Sequence, residues 1–165
     1  MPDVTPPPEP DHHLVHDVII EHEAWGDIEP VVASCFKAVM AHDPETFCKG
    51  TVALLFTSDE AVQRLNREFL GKDKPTNVLS FPTDEDVMDH DGPIHIGDIA
   101  LAYETCYREA VDKRVALKDH AAHLIFHGVL HLFGYDHEDD DEALVMEKME
   151  TDLLADMGID DPYAD

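Results

Sequence analysis

Hydrophobic residues follow two different spacings along this chain, and each spacing predicts one kind of element. Four short and nearly continuous apolar runs are typical of buried strands. Five longer stretches place apolar residues three and four positions apart, as on one face of a helix. We predict strands at 14–21, 51–57, 77–81 and 94–102, and helices that end near residues 41, 70, 114, 133 and 157.

Capping residues and glycines define several of the predicted helix ends. Asp27 and Ser58 are predicted to cap the first two helices, because their side chains accept hydrogen bonds from the free N–H groups of a first turn. Gly71 and Gly134 are predicted to end the helices before them, since glycine adopts the left-handed conformation at little cost.

The order of the elements is strand, helix, strand, helix, strand, strand and then helices. Strand–helix–strand units favour parallel pairing with right-handed crossovers, and two consecutive strands can pair antiparallel. We therefore predict an α+β domain in which about five helices pack on a mixed four-stranded sheet. This single domain would cover residues 12–160, after a Pro-rich disordered tail over residues 1–11.

The composition is that of an ordinary globular protein, with 44% apolar residues among 165. No apolar run reaches the roughly 18 residues that span a membrane. The N-terminus also lacks the basic and apolar regions of a signal peptide. Cys35, Cys48 and Cys106 show no paired spacing and indicate reduced thiols, so we predict a cytoplasmic protein with no membrane segment.

The charge is strongly acidic, with 11 Lys and Arg against 37 Asp and Glu and a formal net charge of −26. Such a charge argues against a protein that coats nucleic acid nonspecifically. Eight of the 11 basic residues nevertheless lie in two short windows, which are Arg64, Arg67, Lys72 and Lys74, and Arg108, Lys113, Arg114 and Lys118. Each window is either a solvated helix face, the commoner outcome, or part of a local basic channel.

Three histidines at a fixed spacing carry the candidate chemistry. His127 and His131 are four residues apart, so on a helix both project from one face, as two imidazole ligands of one metal ion do. After Gly134 the chain can turn back and bring His137 to the same ion. Three histidines without a fourth ligand favour a catalytic site for one Zn²⁺ per chain. Another divalent transition metal fits the same ligands.

The same stretch matches the zinc-protease signature His-Glu-x-x-His-x-x-Gly-x-x-His at every position but one. Gly128 occupies the position of the Glu that acts as general base in those proteases. We therefore predict a zincin-like three-histidine metal site without the protease chemistry.

Four further polar residues near this stretch need an assignment. His123 is excluded as a ligand, because three residues one turn apart on a straight helix span about 12 Å. Asp98 and Asp136 are candidates to orient a ligand histidine or a water, and the alternative is that each only stabilises a turn. His120 is predicted to be a surface residue.

Three stretches together resemble the YbeY family of bacterial endoribonucleases. They are LNR at 65–67 leading into KDKPTNVLSFP at 72–82, GDI at 97–99, and HGVLHLFGYDH at 127–137. The first and third stretches are long and specific to the family, and the second alone is weak. The order of elements also fits the family over nearly all of the chain except the tail.

The resemblance implies a metal-dependent endoribonuclease that cuts single-stranded RNA. It implies a role at the 3′ end of small-subunit ribosomal RNA and in ribosome maturation and quality control, with the small subunit or assembly factors as partners. The family's metal-binding histidines correspond to His127, His131 and His137, which would be catalytic through the metal.

One position departs from the family pattern. The family commonly has an Arg, thought to contact RNA, just before the segment that leads into KDKP, and Leu70 occupies that position here. Arg67, one helical turn earlier, would take part of this role. Lys72 and Lys74 would neutralise the RNA backbone alongside it.

Two other functions remain open from the sequence. One is a metallohydrolase of another substrate, such as a peptidase-like enzyme, which Gly128 disfavours. The other is a ribosome-assembly factor without enzymatic activity, whose zinc is structural. The absence of a fourth ligand disfavours this second alternative.

Overall fold

The computed structural model describes residues 14–83, 94–136 and 138–163. The predicted tail over residues 1–11, and the first two residues predicted for the domain, lie outside this part of the chain. In chain order the elements are β1 (Leu14–Ile20), α1 (Glu29–His42), β2 (Gly50–Thr57), α2 (Asp59–Leu70), β3 (Val78–Pro82), β4 (His95–Ala102), α3 (Tyr103–Lys113), α4 (Leu117–Leu132) and α5 (Asp140–Asp156).

The four strands form one mixed sheet in the order β1-β2-β4-β3. The pairs β1–β2 and β2–β4 are parallel, and β3 lies antiparallel to β4 at the edge. The prediction of an α+β domain with five helices and a mixed four-stranded sheet is therefore confirmed. None of the described helices is long and apolar enough to cross a membrane.

The sheet divides the apolar side chains between its two faces, because successive side chains of a strand point to opposite sides. Ile99 and Leu101 of β4 join the large core that also includes α1, α4 and α5. Ala100 and Ala102 point the other way and pack with Val62 of α2. The helices α2 and α4 therefore lie on opposite faces of the sheet.

Two glycines allow α4 to lie very close to β4. A Cβ atom on Gly128 would meet Ile99 Cδ1 at 2.9 Å, and a Cβ atom on Gly97 would meet Leu132 Cδ2 at 2.7 Å. Since carbon atoms at optimal contact are about 3.5–4.0 Å apart, neither position has room for a side chain. This close approach fixes where the histidines of α4 stand relative to the sheet.

Most of the predicted helix ends agree with the structure. Ser58 caps α2 by accepting a hydrogen bond from the Ala61 N–H, and Gly71 ends α2 with a φ of 70°. The prediction that Asp27 caps α1 is wrong. The N-cap is Ile28, which makes no side-chain capping bond, and Pro30 supplies a residue already suited to the first turn.

Candidate metal site on helix α4

Two of the three predicted ligands, His127 and His131, lie one turn apart on α4, and both are half-buried. The helix ends two residues after Leu130 in a Schellman arrangement, in which the Gly134 N–H bonds the His131 carbonyl and the Tyr135 N–H bonds the Leu130 carbonyl, each at 3.1 Å. Gly134 has a φ of 100°. The chain therefore turns back where the sequence predicted.

The third predicted ligand, His137, lies outside the described residues. Within the ranges 14–83, 94–136 and 138–163, no three His, Cys, Asp or Glu side chains are grouped as a metal site. The three-histidine set is therefore still a prediction, of which the structure places two members.

A buried carboxylate orients the first histidine. His127 Nδ1 lies 3.2 Å from Glu150 Oε1, and only 1% of the Glu150 side chain is exposed. An ionised carboxylate only accepts hydrogen bonds, so this contact places the proton on Nδ1 and the imidazole lone pair on Nε2. A histidine in this tautomer can bind a metal ion through Nε2.

Two more side chains complete the surroundings of Glu150. The Tyr163 hydroxyl donates to Glu150 Oε2 at 3.0 Å, and His123 Nε2 lies 3.1 Å from Oε1. Burial opposes ionisation of Glu150, but the hydrogen bonds from His123 and His127 outweigh it and lower the pKa to about 2. Burial and the nearby Glu150 charge raise the pKa of Tyr163. Glu150 is therefore an anion fixed on both oxygens.

The second predicted ligand, His131, lies in a different environment. Its Nδ1 is buried and has no hydrogen-bond partner among the described residues, and the same is true of Nδ1 in His123. A buried ring nitrogen without a partner calls for an explanation, such as a bound ion or a water, but it does not by itself mark a ligand, because His123 shares it and is excluded as one. Together with the orientation of His127, the donor set on α4 fits a borderline metal ion such as Zn²⁺.

A cavity of about 200 Å³ lies beside His127. Its lining includes polar residues from α3, from α4, from the position before β3 and from the C-terminal segment, namely Asn77, Glu109, Lys113, His120, His123 and Tyr163. Lys113 belongs to the second basic window of the sequence, so one residue of that window stands next to the predicted metal site.

The prediction that His120 is a surface residue is wrong. Its side chain is 3% exposed, and Nε2 lies 2.8 Å from Glu109 Oε1. Asn77 Nδ2 donates to the same oxygen at 2.9 Å. Burial lowers the pKa of His120, although the hydrogen bond to Glu109 opposes this shift. His120 is therefore a hydrogen-bonded core residue that joins α4 to α3.

The predicted RNA-binding residues lie on α2 and on the segment after it. Arg67 Nη1 is 3.6 Å from Asp73 Oδ1, with both side chains largely exposed. Lys72 and Lys74 are exposed, and the Asn66 side chain donates to the Lys74 carbonyl at 2.9 Å. Because α2 and α4 lie on opposite faces of the sheet, a joint role of these residues with the histidines stays a prediction.

The two predicted orienting carboxylates differ in position. Asp98 Oδ1 lies 2.9 Å from His95 Nε2, and Asp98 alternates with Ile99 and so faces away from α4. It contacts a histidine that is not a predicted ligand. Asp136 is half-buried directly before His137, and its role stays a prediction.

The sequence reading missed Glu150, Tyr163 and Glu109. Glu150 carried one usable signal, because it falls in the buried stripe of α5 with Met146, Leu153 and Leu154. A carboxylate within an apolar stripe needs partners. Nothing local marked Tyr163, which reaches Glu150 from beyond the end of the helix.

A family model and several relatives of this chain carry the same description. The family model described as Endoribonuclease YbeY matches residues 18–158. A relative named Endoribonuclease YbeY from Rhodospirillum rubrum is 50% identical over 154 residues, covering 86% of this chain and 77% of its own. The protein of the same name from Erythrobacter litoralis is 48% identical over 156 residues, covering 90% and 97%.

A third relative and one solved structure complete the comparison. The Endoribonuclease YbeY of Paramagnetospirillum magneticum is 54% identical over 149 residues, covering 86% of this chain and 91% of its own. The solution structure of TM1509 from Thermotoga maritima has a TM-score of 0.59 at 20% identity, covers 87% of this chain and 92% of its own, and so supports the fold alone. By its sequence matches, this chain belongs to the endoribonuclease YbeY family.

Proposed function

We propose that this protein is a metal-dependent endoribonuclease that cuts single-stranded RNA. It acts in processing the 3′ end of small-subunit ribosomal RNA and in ribosome maturation and quality control. His127, His131 and His137 hold one Zn²⁺ ion, or another divalent transition metal, and are catalytic through it.

One observation supports this proposal above the others. His127 and His131 share a face of α4, and the contact between His127 Nδ1 and Glu150 puts the ring lone pair on Nε2, a nitrogen through which histidine binds metal ions. This is the arrangement in which metal-binding histidines are commonly held by a carboxylate. It occurs in a chain that belongs to an endoribonuclease family.

A zinc ion bound by these histidines supplies an activated water and a positive charge for a phosphodiester oxygen. Binding of the RNA backbone is the task of basic side chains elsewhere on the protein. Lys72 and Lys74 neutralise the RNA backbone, and Arg67 contributes less, because Asp73 already offsets part of its charge. These contacts hold the RNA in place, whereas the histidines define where it is cut.

The RNA substrate and the ribosomal role imply particular partners and a compartment. The partners are ribosomal RNA and the small subunit or its assembly factors, and the compartment is the cytoplasm. The absence of a side chain at Gly128 supports a nuclease over a peptidase, because position 128 packs against Ile99 and cannot carry a general base.

The test is cleavage of an end-labelled single-stranded RNA by the purified protein, compared with His131→Ala and with His42→Ala. His42 is an exposed histidine at the end of α1 and serves as the matched control. We expect cleavage by the wild type and by His42→Ala, and no cleavage by His131→Ala although it stays folded. Bound metal is measured on all three proteins.

Two outcomes would contradict the proposal. Equal cleavage by the wild type and His131→Ala would mean that the activity does not use this site. A wild type that holds about one zinc per chain but cuts no RNA, even with small subunits added, would favour an assembly factor whose zinc is structural.

A further inference from the structure

Glu150 is the one buried carboxylate among the described residues. Burying an ionised carboxylate is strongly unfavourable unless hydrogen bonds replace those it made with water. Helix α5 could fill the same position with an apolar residue, as it does with Met146, Leu153 and Leu154. The buried charge of Glu150 therefore indicates a role beyond packing.

The three partners of Glu150 come from two separate parts of the chain. His123 and His127 are consecutive turns of α4, and Tyr163 follows the end of α5. Oε1 faces both histidines, and Oε2 accepts the Tyr163 hydroxyl. With both oxygens engaged, the carboxylate cannot rotate, so the direction in which it meets His127 is fixed.

We propose that Glu150 is a positioning residue that holds His127 as a metal ligand through Nε2, and that Tyr163 and His123 hold Glu150 in turn. The inference rests on the proposed metal site, and it assigns to α5 and the C-terminal segment a part in metal binding. In this role Glu150 acts through His127 and does not itself bind the ion.

Tyr163 makes further contacts with the segment that follows α5 and with His123 of α4. Its N–H donates to Asp161 Oδ1 at 2.8 Å, and its ring meets that of His123 edge to face at 5.4 Å. His123 Nε2 also lies 3.1 Å from the Tyr163 hydroxyl. The hydroxyl therefore stands between His123 and Glu150, and its loss would free one carboxylate oxygen.

The experiment measures Zn²⁺ affinity by competition with a chromophoric chelator, for the wild type, Glu150→Gln and Tyr163→Phe. We expect Glu150→Gln to bind zinc about 10- to 100-fold more weakly, the usual effect of removing a group that orients a metal ligand. Tyr163→Phe keeps the carboxylate and should lose less affinity than Glu150→Gln.

Two control variants separate positioning from folding. Asp152→Asn changes a half-exposed carboxylate of the same helix, which pairs with Lys148 at 3.2 Å, and should leave the zinc affinity unchanged. Met146→Ala removes a buried side chain of α5 and should lower the melting temperature of the metal-free protein while the folded fraction keeps its zinc affinity.

A second readout does not depend on metal. The ring ¹⁵N shifts of His127 in the metal-free protein should report the Nδ1–H tautomer in the wild type. In Glu150→Gln they should report a mixture, because an amide can either accept or donate toward Nδ1. The His127 signals are identified as those missing from the His127→Gln spectrum, and their ¹⁵N shifts then report which ring nitrogen carries the proton.

The possible outcomes are distinct. If the wild type binds zinc and Glu150→Gln binds it equally well with an unchanged tautomer, Glu150 only packs, and the inference is wrong although the metal site stands. If the loss in Glu150→Gln is no larger than in Met146→Ala, the effect is one of folding. If the wild type binds no zinc, the metal site is wrong and the inference falls with it.

Discussion

Gly128 lies between the two predicted metal ligands of α4, His127 and His131, on the side of the helix that faces the sheet. A Cβ atom there would meet Ile99 at 2.9 Å to Cδ1, 3.2 Å to Cγ2 and 3.3 Å to Cγ1. Ile99 is fully buried, so its side chain has to shift within a packed core to make room. The missing general base of the protease signature and the close packing of α4 on β4 therefore have the same cause.

Gly128→Ala tests this packing. Alanine is favoured over glycine within a helix by about 1 kcal/mol, yet we expect the variant to be less stable, because overpacking a core costs about 1–3 kcal/mol. Unfolding in urea measures the difference. Ile99→Val removes the nearest atom, so the double variant should lose less stability than the sum of the two single variants. If Gly128→Ala were more stable than the wild type, β4 would have to shift enough to make room for the added methyl group.

At the level of single residues, the sequence could predict His127 and His131 as ligands but not the side chains that position them. The two ligands are four residues apart, a spacing that a helix alone explains. Glu150 and Tyr163 reach His127 only through tertiary packing of α5 and the segment beyond it. The buried position of His120 was missed for the same reason, since its partner Glu109 lies on another helix.

The end of α4 is the element on which the three-histidine site depends. Gly134, with its φ of 100°, follows Phe133 and lets the chain turn so that the Tyr135 N–H bonds the Leu130 carbonyl at 3.1 Å. This end was predictable because it depends on local backbone chemistry. The start of α1 was not, since a 3₁₀ turn at Glu23–Trp25 changes how the chain enters that helix.

Gly134→Ala tests the turn. A residue with a side chain in the left-handed region costs about 1–2 kcal/mol, so we expect a loss of stability of this size. We also expect weaker Zn²⁺ binding, because His137 lies three residues further on. Among the described residues beyond its chain neighbours, no atom lies within 4 Å of the added Cβ, so the expected strain is in the backbone.

The matched control for this variant is Gly71→Ala. Gly71 ends α2 with a φ of 70°, and a Cβ atom there also meets nothing within 4 Å in the part of the chain that the structure describes. It should lower the melting temperature by a similar amount and leave zinc affinity unchanged. Equal zinc affinity in all three proteins would mean that the turn does not position a ligand.

For the whole molecule, the sheet separates two sets of candidate residues. The histidines stand on α4 over one face, and α2 with Arg67 covers the other, with Lys72 and Lys74 on the segment that leads into edge strand β3. The sequence order predicted a mixed sheet but not the strand order, because long-range pairing is decided by packing. An RNA that meets both sets has to pass around the β3 edge.

The basic segment should therefore determine the salt dependence of RNA binding. Each phosphate contact on a single strand contributes about 0.7 to the slope of log affinity against log salt. We expect Lys72→Gln and Lys74→Gln each to reduce the slope by about this amount, and Arg67→Gln to reduce it less, because Asp73 lies 3.6 Å from its guanidinium.

Binding is measured with chelator present so that the RNA stays intact. Lys148→Gln, on α5 and paired with Asp152, should leave the slope unchanged. If Lys72→Gln and Lys74→Gln also leave it unchanged, the RNA does not pass the β3 edge, and Lys113 beside His127 becomes the next residue to replace.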